Sequence, residues 1–182
     1  EGHPEAERQE LVAQLDQVNA YLLLVAPLLP EPQRSAWQED LVRLARGMIE
    51  RYWAPGEHLF WGTIHAEAGR RLGARHVDFG HTAKALWMIE RVGRLTGERD
   101  LVAFAGAEAP RLLERAFVSE TGSWASRPSE DGTLGAGKEW WIYAELDQEH
   151  VQRALAAELD EEEKSERATT AAASFASVGL DA

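Results

Sequence analysis

The residues best equipped for chemistry fall in two clusters, His76, Asp78 and His81 in the first and Trp140, Trp141 and Glu145 in the second. With Asp78 as the N-cap of a helix wound at roughly 3.6 residues per turn, Phe79, Ala83, Leu86 and Trp87 cover one side. Ala85, Met88, Ile89 and Val92 cover most of the other, and only a narrow stripe with Lys84 and Arg91 is charged. A helix apolar nearly all round lies inside a fold. His81 falls in its first turn, where the positive end of the helix dipole disfavours an imidazolium, and a ring so placed suits a general base. The bland alternative is a buried histidine tied to Asp78 or to backbone.

The same residues bear on metal binding, since Asp78 and His81 are one helical turn apart with His76 nearby. No second carboxylate motif supports a site, so neither a metal nor another cofactor is expected. Trp140 and Trp141 are consecutive and point about 100° apart, so one packs while the other is free to line a pocket. Seven tryptophans cluster beside Gly, His and acidic residues, a pattern that suits sugar binding. Gly132-Thr133-Leu134-Gly135-Ala136-Gly137-Lys138-Glu139 has phosphate-loop spacing until its last position, where Glu139 replaces the Ser or Thr that would hold magnesium. No strand precedes it, so it reads as a flexible loop entering a helix.

Composition bounds the partners. Thirty-one acidic against nineteen basic side chains give a net charge of −12, which repels phosphate backbones and anionic membranes. Nucleic acid is therefore not an expected partner. No apolar run approaches the roughly 20 residues that span a bilayer, so the chain reads as soluble and without a membrane partner. The absence of cysteine fits the cytoplasm and is compatible with the periplasm or secretion. The chain starts at Glu1 without an initiator Met, so a signal peptide, a tag or a stretch of natural chain is expected to have preceded it.

The elements that must position the clusters follow from apolar spacing. Leu11, Leu15, Val18, Leu22 and Val25 predict an amphipathic helix over 5–26, closed by Pro27. Ser35-Ala36-Trp37-Gln38 reads as a capping box, opening a second helix whose face runs from Trp37 to Tyr52. Residues 53–75 lose the periodicity, with a Pro55-Gly56 turn and a short strand or loop over 58–65. The helix from Asp78 ends at Gly97, and an outer helix from Leu101 to Phe117 follows, which Pro110 must kink or restart. A Gly/Ser/Pro-rich loop over 119–137 leads to a second inside helix opening at Lys138. The domain is expected over 1–159, with an acidic and then Ala/Ser-rich tail over 160–182. Alternating inner and outer helices, with no core strand, predict an all-α array of α/α hairpins.

Taken together, His76-Val77-Asp78-Phe79-Gly80-His81-Thr82-Ala83-Lys84-Ala85-Leu86-Trp87 and Lys138-Glu139-Trp140-Trp141-Ile142-Tyr143-Ala144-Glu145 resemble the paired signatures of the N-acylglucosamine 2-epimerase superfamily. That group includes cellobiose 2-epimerases and mannose-type aldose–ketose isomerases. The resemblance covers roughly residues 40–150. It implies an (α/α)6 barrel whose inner helices ring a pocket for a mono- or disaccharide. His81 then matches a histidine that acts at the carbon beside the open-chain carbonyl, and Trp141 and Glu145 match positions near the sugar. Trp140, His76, Asp78 and Lys84 complete the expected substrate-binding set.

Several departures qualify what the resemblance implies. Lys84 stands where epimerases commonly carry Glu, and His150 is too close to the Trp-Trp motif to be the family's second, far C-terminal histidine. No arginine clearly matches the one that steadies the carbonyl oxygen near the family's N-terminus. Twelve helices at about 30 residues each need about 360 residues, so the chain can form about half of the ring. A homodimer or further chain segments are expected to complete it. The expected activity is sugar 2-epimerisation or aldose–ketose isomerisation by histidine acid/base proton transfer at C2. The alternatives are a non-catalytic helical sugar-binding or scaffold protein and, less favoured, a glycoside hydrolase or lyase using Asp78 and Glu145.

Overall fold

A computed structural model describes residues 10–17, 22–64, 67–135 and 137–156. The helices are α1 (Leu11–Gln17), α2 (Leu23–Val25), α3 (Gln33–Tyr52), α4 (Phe79–Thr96), α5 (Arg99–Ala116) and α6 (Trp140–Ala156). Between them lie two two-stranded ribbons, β1 (Trp53–Ala54) with β2 (Leu59–Phe60), and β3 (Phe117–Val118) with β4 (Ser123–Trp124). Helix α4 packs against α3, α5 and α6, and eleven of its residues from Phe79 to Gly93 are buried, which makes it the inner helix its sequence predicts. In α5 the buried set Leu101, Ala105, Ala109, Leu112, Leu113 and Ala116 forms one stripe, as an outer helix requires. The result is an all-α array of α/α hairpins, a portion of an α/α toroid.

One unit occurs twice. Each outer helix runs straight into a short antiparallel ribbon, and the register pairs Trp53 with Phe60 in the first and Phe117 with Trp124 in the second. The chain crosses back identically, with Trp61 N–H bonding to the Tyr52 carbonyl and Ala125 N–H to the Ala116 carbonyl, both at 2.8 Å. The residue before each return strand has positive φ, 47° at His58 and 62° at Gly122. Glycine takes that conformation freely; His58 is held in it while its Nδ1 meets Glu108 Oε2 at 2.7 Å.

The structure corrects several local expectations. α3 opens at Gln33, before the expected capping box, and the Glu31 carboxylate accepts from both the Ser35 N–H and hydroxyl, at 3.3 and 2.7 Å. An acid outside the helix thus does what Ser35 was expected to do from within. Of the helix expected over 5–26, residues 5–9 and 18–21 lie outside the described residues. Past them Leu23 and Ala26 are buried while Leu22 and Val25 are half-buried, so the apolar stripe shifts by one position. Pro110 does not restart α5, because Pro110 and Gly106, whose carbonyl the proline cannot bond, both face solvent. The tail expected over 160–182 also lies outside the described residues.

The glycine-rich stretch before α6 is a closed turn. Ser129 N–H bonds to the Thr133 carbonyl at 2.8 Å, Gly132 has φ of 83°, and Asp131 Oδ1 accepts from the Thr133 N–H and hydroxyl. The amides of Gly132, Thr133 and Gly135 are turned on the loop itself, so the stretch expected as a flexible loop entering a helix is a loop closed by its own hydrogen bonds. Among the described residues no helix is long and apolar enough to cross a membrane.

Candidate functional site

Asp78 is the N-cap of α4, with extended φ and ψ and its Oδ1 accepting from the His81 N–H at 2.8 Å. Its second oxygen, Oδ2, lies 2.6 Å from Nδ1 of the His81 ring. A carboxylate only accepts, so Nδ1 carries the proton of this bond and the neutral ring keeps its lone pair on Nε2. One buried residue, 2% exposed, therefore both starts the helix and fixes the tautomer and direction of the ring. Thr82 ties this turn to the first ribbon: its hydroxyl donates to the Asp78 carbonyl at 3.0 Å and accepts from the Phe60 N–H at 3.2 Å.

Two rings flank His81. Trp141 meets it edge-on at 4.8 Å from α6, and His76 at 5.1 Å from the preceding loop. His76 is held at φ of 60°, a conformation uncommon outside glycine. The close approach of its backbone needs Gly62, where a Cβ would sit 2.4 Å from the Arg75 carbonyl oxygen and 2.9 Å from His76 Cβ. Burial, with the neighbouring His81 and Arg75, pushes the His76 imidazole below its ordinary range. Beside it opens a cavity of about 410 Å³, lined among others by Thr63, Gly69, Arg71 and Arg75.

Trp141 is supported by residues that sequence reading missed. Its Nε1–H donates to Glu139 Oε2 at 3.3 Å, Glu139 Oε1 pairs with Arg127, and the Glu139 N–H donates to the Ser126 hydroxyl at 2.9 Å. Ser126 also gives its carbonyl to the Phe79 N–H at 3.1 Å, so one loop residue joins the starts of both inner helices. Ser126 and Arg127 sit in an aperiodic loop, and Glu139 read only as part of a motif, so no spacing rule points to their partnership. Trp124, placed by sequence in a loop, is a buried strand residue whose indole donates to Asp147 at 2.7 Å and whose carbonyl accepts from the Tyr143 hydroxyl.

Glu145 and Lys84 are both half-buried, one turn beyond Trp141 and His81 respectively. Burial raises the Glu145 carboxyl above its ordinary value, while Lys84 and His81 pull it down, which puts the three groups within electrostatic reach of one another. A further turn along α6, Glu149 is 1% exposed and takes Arg153 Nε on Oε1 at 2.6 Å. Arg153 also binds Glu90, which holds the exposed Arg94, so the network ties α6 to α4 and runs out to the surface.

Of the seven residues expected in the site, His76, Asp78 and Trp141 thus each meet His81, with Glu145 and Lys84 within electrostatic reach of one another. Trp140 is not with them. It is 74% exposed, because its neighbour takes the inward position and consecutive helical residues cannot share a face. Among the described residues no three His, Asp or Glu converge in a way that would hold a metal ion.

No protein-family model matches the chain, and no curated protein matches it. Among solved structures the fold is similar to that of a sugar epimerase from a ruminal bacterium, with a TM-score of 0.66 and 16% sequence identity. The match covers 93% of this chain and 42% of that one, so the chain spans about two fifths of the epimerase's length. At that identity the likeness carries the fold.

Proposed function

We propose that the protein acts on the reducing end of a mono- or disaccharide as a 2-epimerase or aldose–ketose isomerase, with His81 as acid and base. The observation that carries this reading is the Asp78 to His81 hydrogen bond at 2.6 Å beside the Trp141 ring at 4.8 Å, on two adjacent inner helices. Support comes also from the structural likeness to a sugar epimerase.

In the proposed reaction His81 Nε2 takes the proton from C2 of the open-chain aldose. The C–H electron pair becomes the C1=C2 bond, and the carbonyl pair moves to O1. Once the enediolate has turned its other face to His81, return of the proton to that face of C2 gives the epimer. If O2 passes its proton to O1 and the carbon proton is delivered to C1, the product is the ketose. Trp141 offers an apolar platform to the sugar ring or chain, and Glu145 and His76 hold hydroxyls. Asp78 keeps the acid/base ring in one tautomer. The reading has the rest of the ring supplied by further chain or by a second copy of this one.

A non-catalytic sugar-binding role is the second reading, favoured by Lys84 where epimerases commonly carry Glu and by the 42% span of the solved epimerase. Titration with mannose and cellobiose, followed by tryptophan fluorescence, tests what both readings share. Trp141→Ala should weaken binding at least tenfold and Trp140→Ala should leave it unchanged. Equal behaviour of the two variants would contradict the pocket. So would a loss of about 3–5 kcal/mol of stability in Trp141→Ala with no change in binding, as expected of a core tryptophan. Exchange of the sugar C2 hydrogen with solvent deuterium separates an enzyme from a binder.

A further inference from the structure

Half-buried cations in this fold are paired. Arg34, Arg115, Arg127 and Arg153 all sit in intermediate burial, and each closes an ion pair, with Glu31, Glu57, Glu139, and Glu149 together with Glu90. Lys84 is the exception among the described residues: it is half-buried on α4 and makes no ion pair. Glu145 on α6 is its counterpart, half-buried and without a hydrogen-bonded partner among the described residues. The two charges influence one another across the gap between the inner helices, yet they do not close on each other. Removing a charge from water without pairing it is costly, and a scaffold that needed both only for stability would join them. Residues three apart on a helix have Cβ atoms about 5–6 Å apart, so Lys84 lies beside His81 on α4.

The chemistry proposed above needs a cation there. When His81 takes the C2 proton, the negative charge collects on O1 of the enediolate, and a fixed donor aimed at that oxygen lowers the barrier. We propose that Lys84 is a further catalytic residue, its ammonium donating to O1 of the open-chain sugar and neutralising the enediolate, with Glu145 keeping the ammonium inside the pocket. The proposal rests on the epimerase or isomerase reading. No bond to nitrogen forms: the ammonium keeps its three protons through the reaction, and only the C2 proton moves to and from His81.

The test uses the protein with its ring complete and follows exchange of the C2 hydrogen of mannose with deuterium by proton NMR. Lys84→Met preserves the length and the apolar stem of the side chain and removes the charge. It should lower kcat for exchange by about 10²–10³, the usual effect of deleting an oxyanion donor, with KM changed less than threefold and the thermal midpoint kept. Lys84→Arg should recover part of the rate. A Lys84→Met variant exchanging at the parent rate, or losing rate only through KM, would overturn the proposal. If exchange then still vanishes in His81→Asn, the reading of the site stands and only the role of Lys84 falls. A parent protein that exchanges nothing with its ring complete would overturn both, and it would do so before any Lys84 variant is compared.

Discussion

Asp78 spends one oxygen on the helix and the other on the ring of His81, and the two duties can be separated by substitution. Asparagine is as good an N-cap as aspartate, so Asp78→Asn should keep the fold with a thermal midpoint within a few degrees of the parent. Its amide group, however, would donate to Nδ1, forcing the ring proton onto Nε2 and removing the base. Exchange at C2 should then fall by on the order of 10⁴, as when the same carboxylate-to-amide change is made in a catalytic triad. Asp78→Ala should lose the cap as well and cost about 1 kcal/mol in thermal unfolding. An Asp78→Asn variant as active as the parent would mean that the ring is not held for proton transfer. The N-cap was legible in the sequence because a cap and its first turn are local, and the tie of His81 to Asp78 was expected there of a structural histidine as well. The support of Trp141 by Glu139 and Arg127 was not, since it runs through a loop whose order no periodicity reports.

At the scale of elements, the site depends on how closely α4 and α6 approach. A Cβ on Gly80 would lie 2.8 Å from Ile142 Cγ1, 2.9 Å from the Trp141 ring and 3.0 Å from Ile142 Cα, so part of the obstacle is backbone. Gly80→Ala should therefore push the helices apart, destabilise the protein by about 1–3 kcal/mol and weaken sugar binding through Trp141. Gly47 on α3 has nothing within 4 Å of its virtual Cβ, and Gly47→Ala should instead stabilise by about 0.5–1 kcal/mol. Denaturant unfolding of the two variants checks the contrast. On α6, burial and the nearby Glu145 push Glu149 from the ordinary 4.5 up to about 7. Arg153 is shared between Glu90 and Glu149, so its single charge does not neutralise both. A carboxyl raised in the folded state gives its full contribution below its unfolded pKa, and that contribution is lost as pH rises through the folded value, here about 7. Glu149→Gln should thus gain thermal stability on the parent as the pH is raised from about 5 to about 8; parallel pH profiles would contradict this. The helices themselves were legible from their apolar stripes. The ribbons were not, because two-residue strands are too short to show alternation, and the repeat they form is one of backbone register.

The molecule as a whole is an α/α hairpin array whose last inner helix still faces solvent along Trp140, Val151 and Leu155, exposed at 74%, 39% and 81%. The architecture was readable from alternating inner and outer helices, and the shortness of the chain from simple arithmetic on helix number. What completes the ring was not, because the 42% span says how much of a solved epimerase this chain resembles and nothing about what lies beyond it. Whether this array holds His81 as a working acid and base is decided by His81→Asn followed by C2 hydrogen exchange. Asparagine cannot take the proton but fits the first turn of α4. The expected variant keeps a thermal midpoint within a few degrees of the parent and shows no exchange of the sugar C2 hydrogen with deuterium. A well-folded His81→Asn variant that exchanges at the parent rate, or one whose exchange falls only in proportion to its folded fraction, would contradict that role.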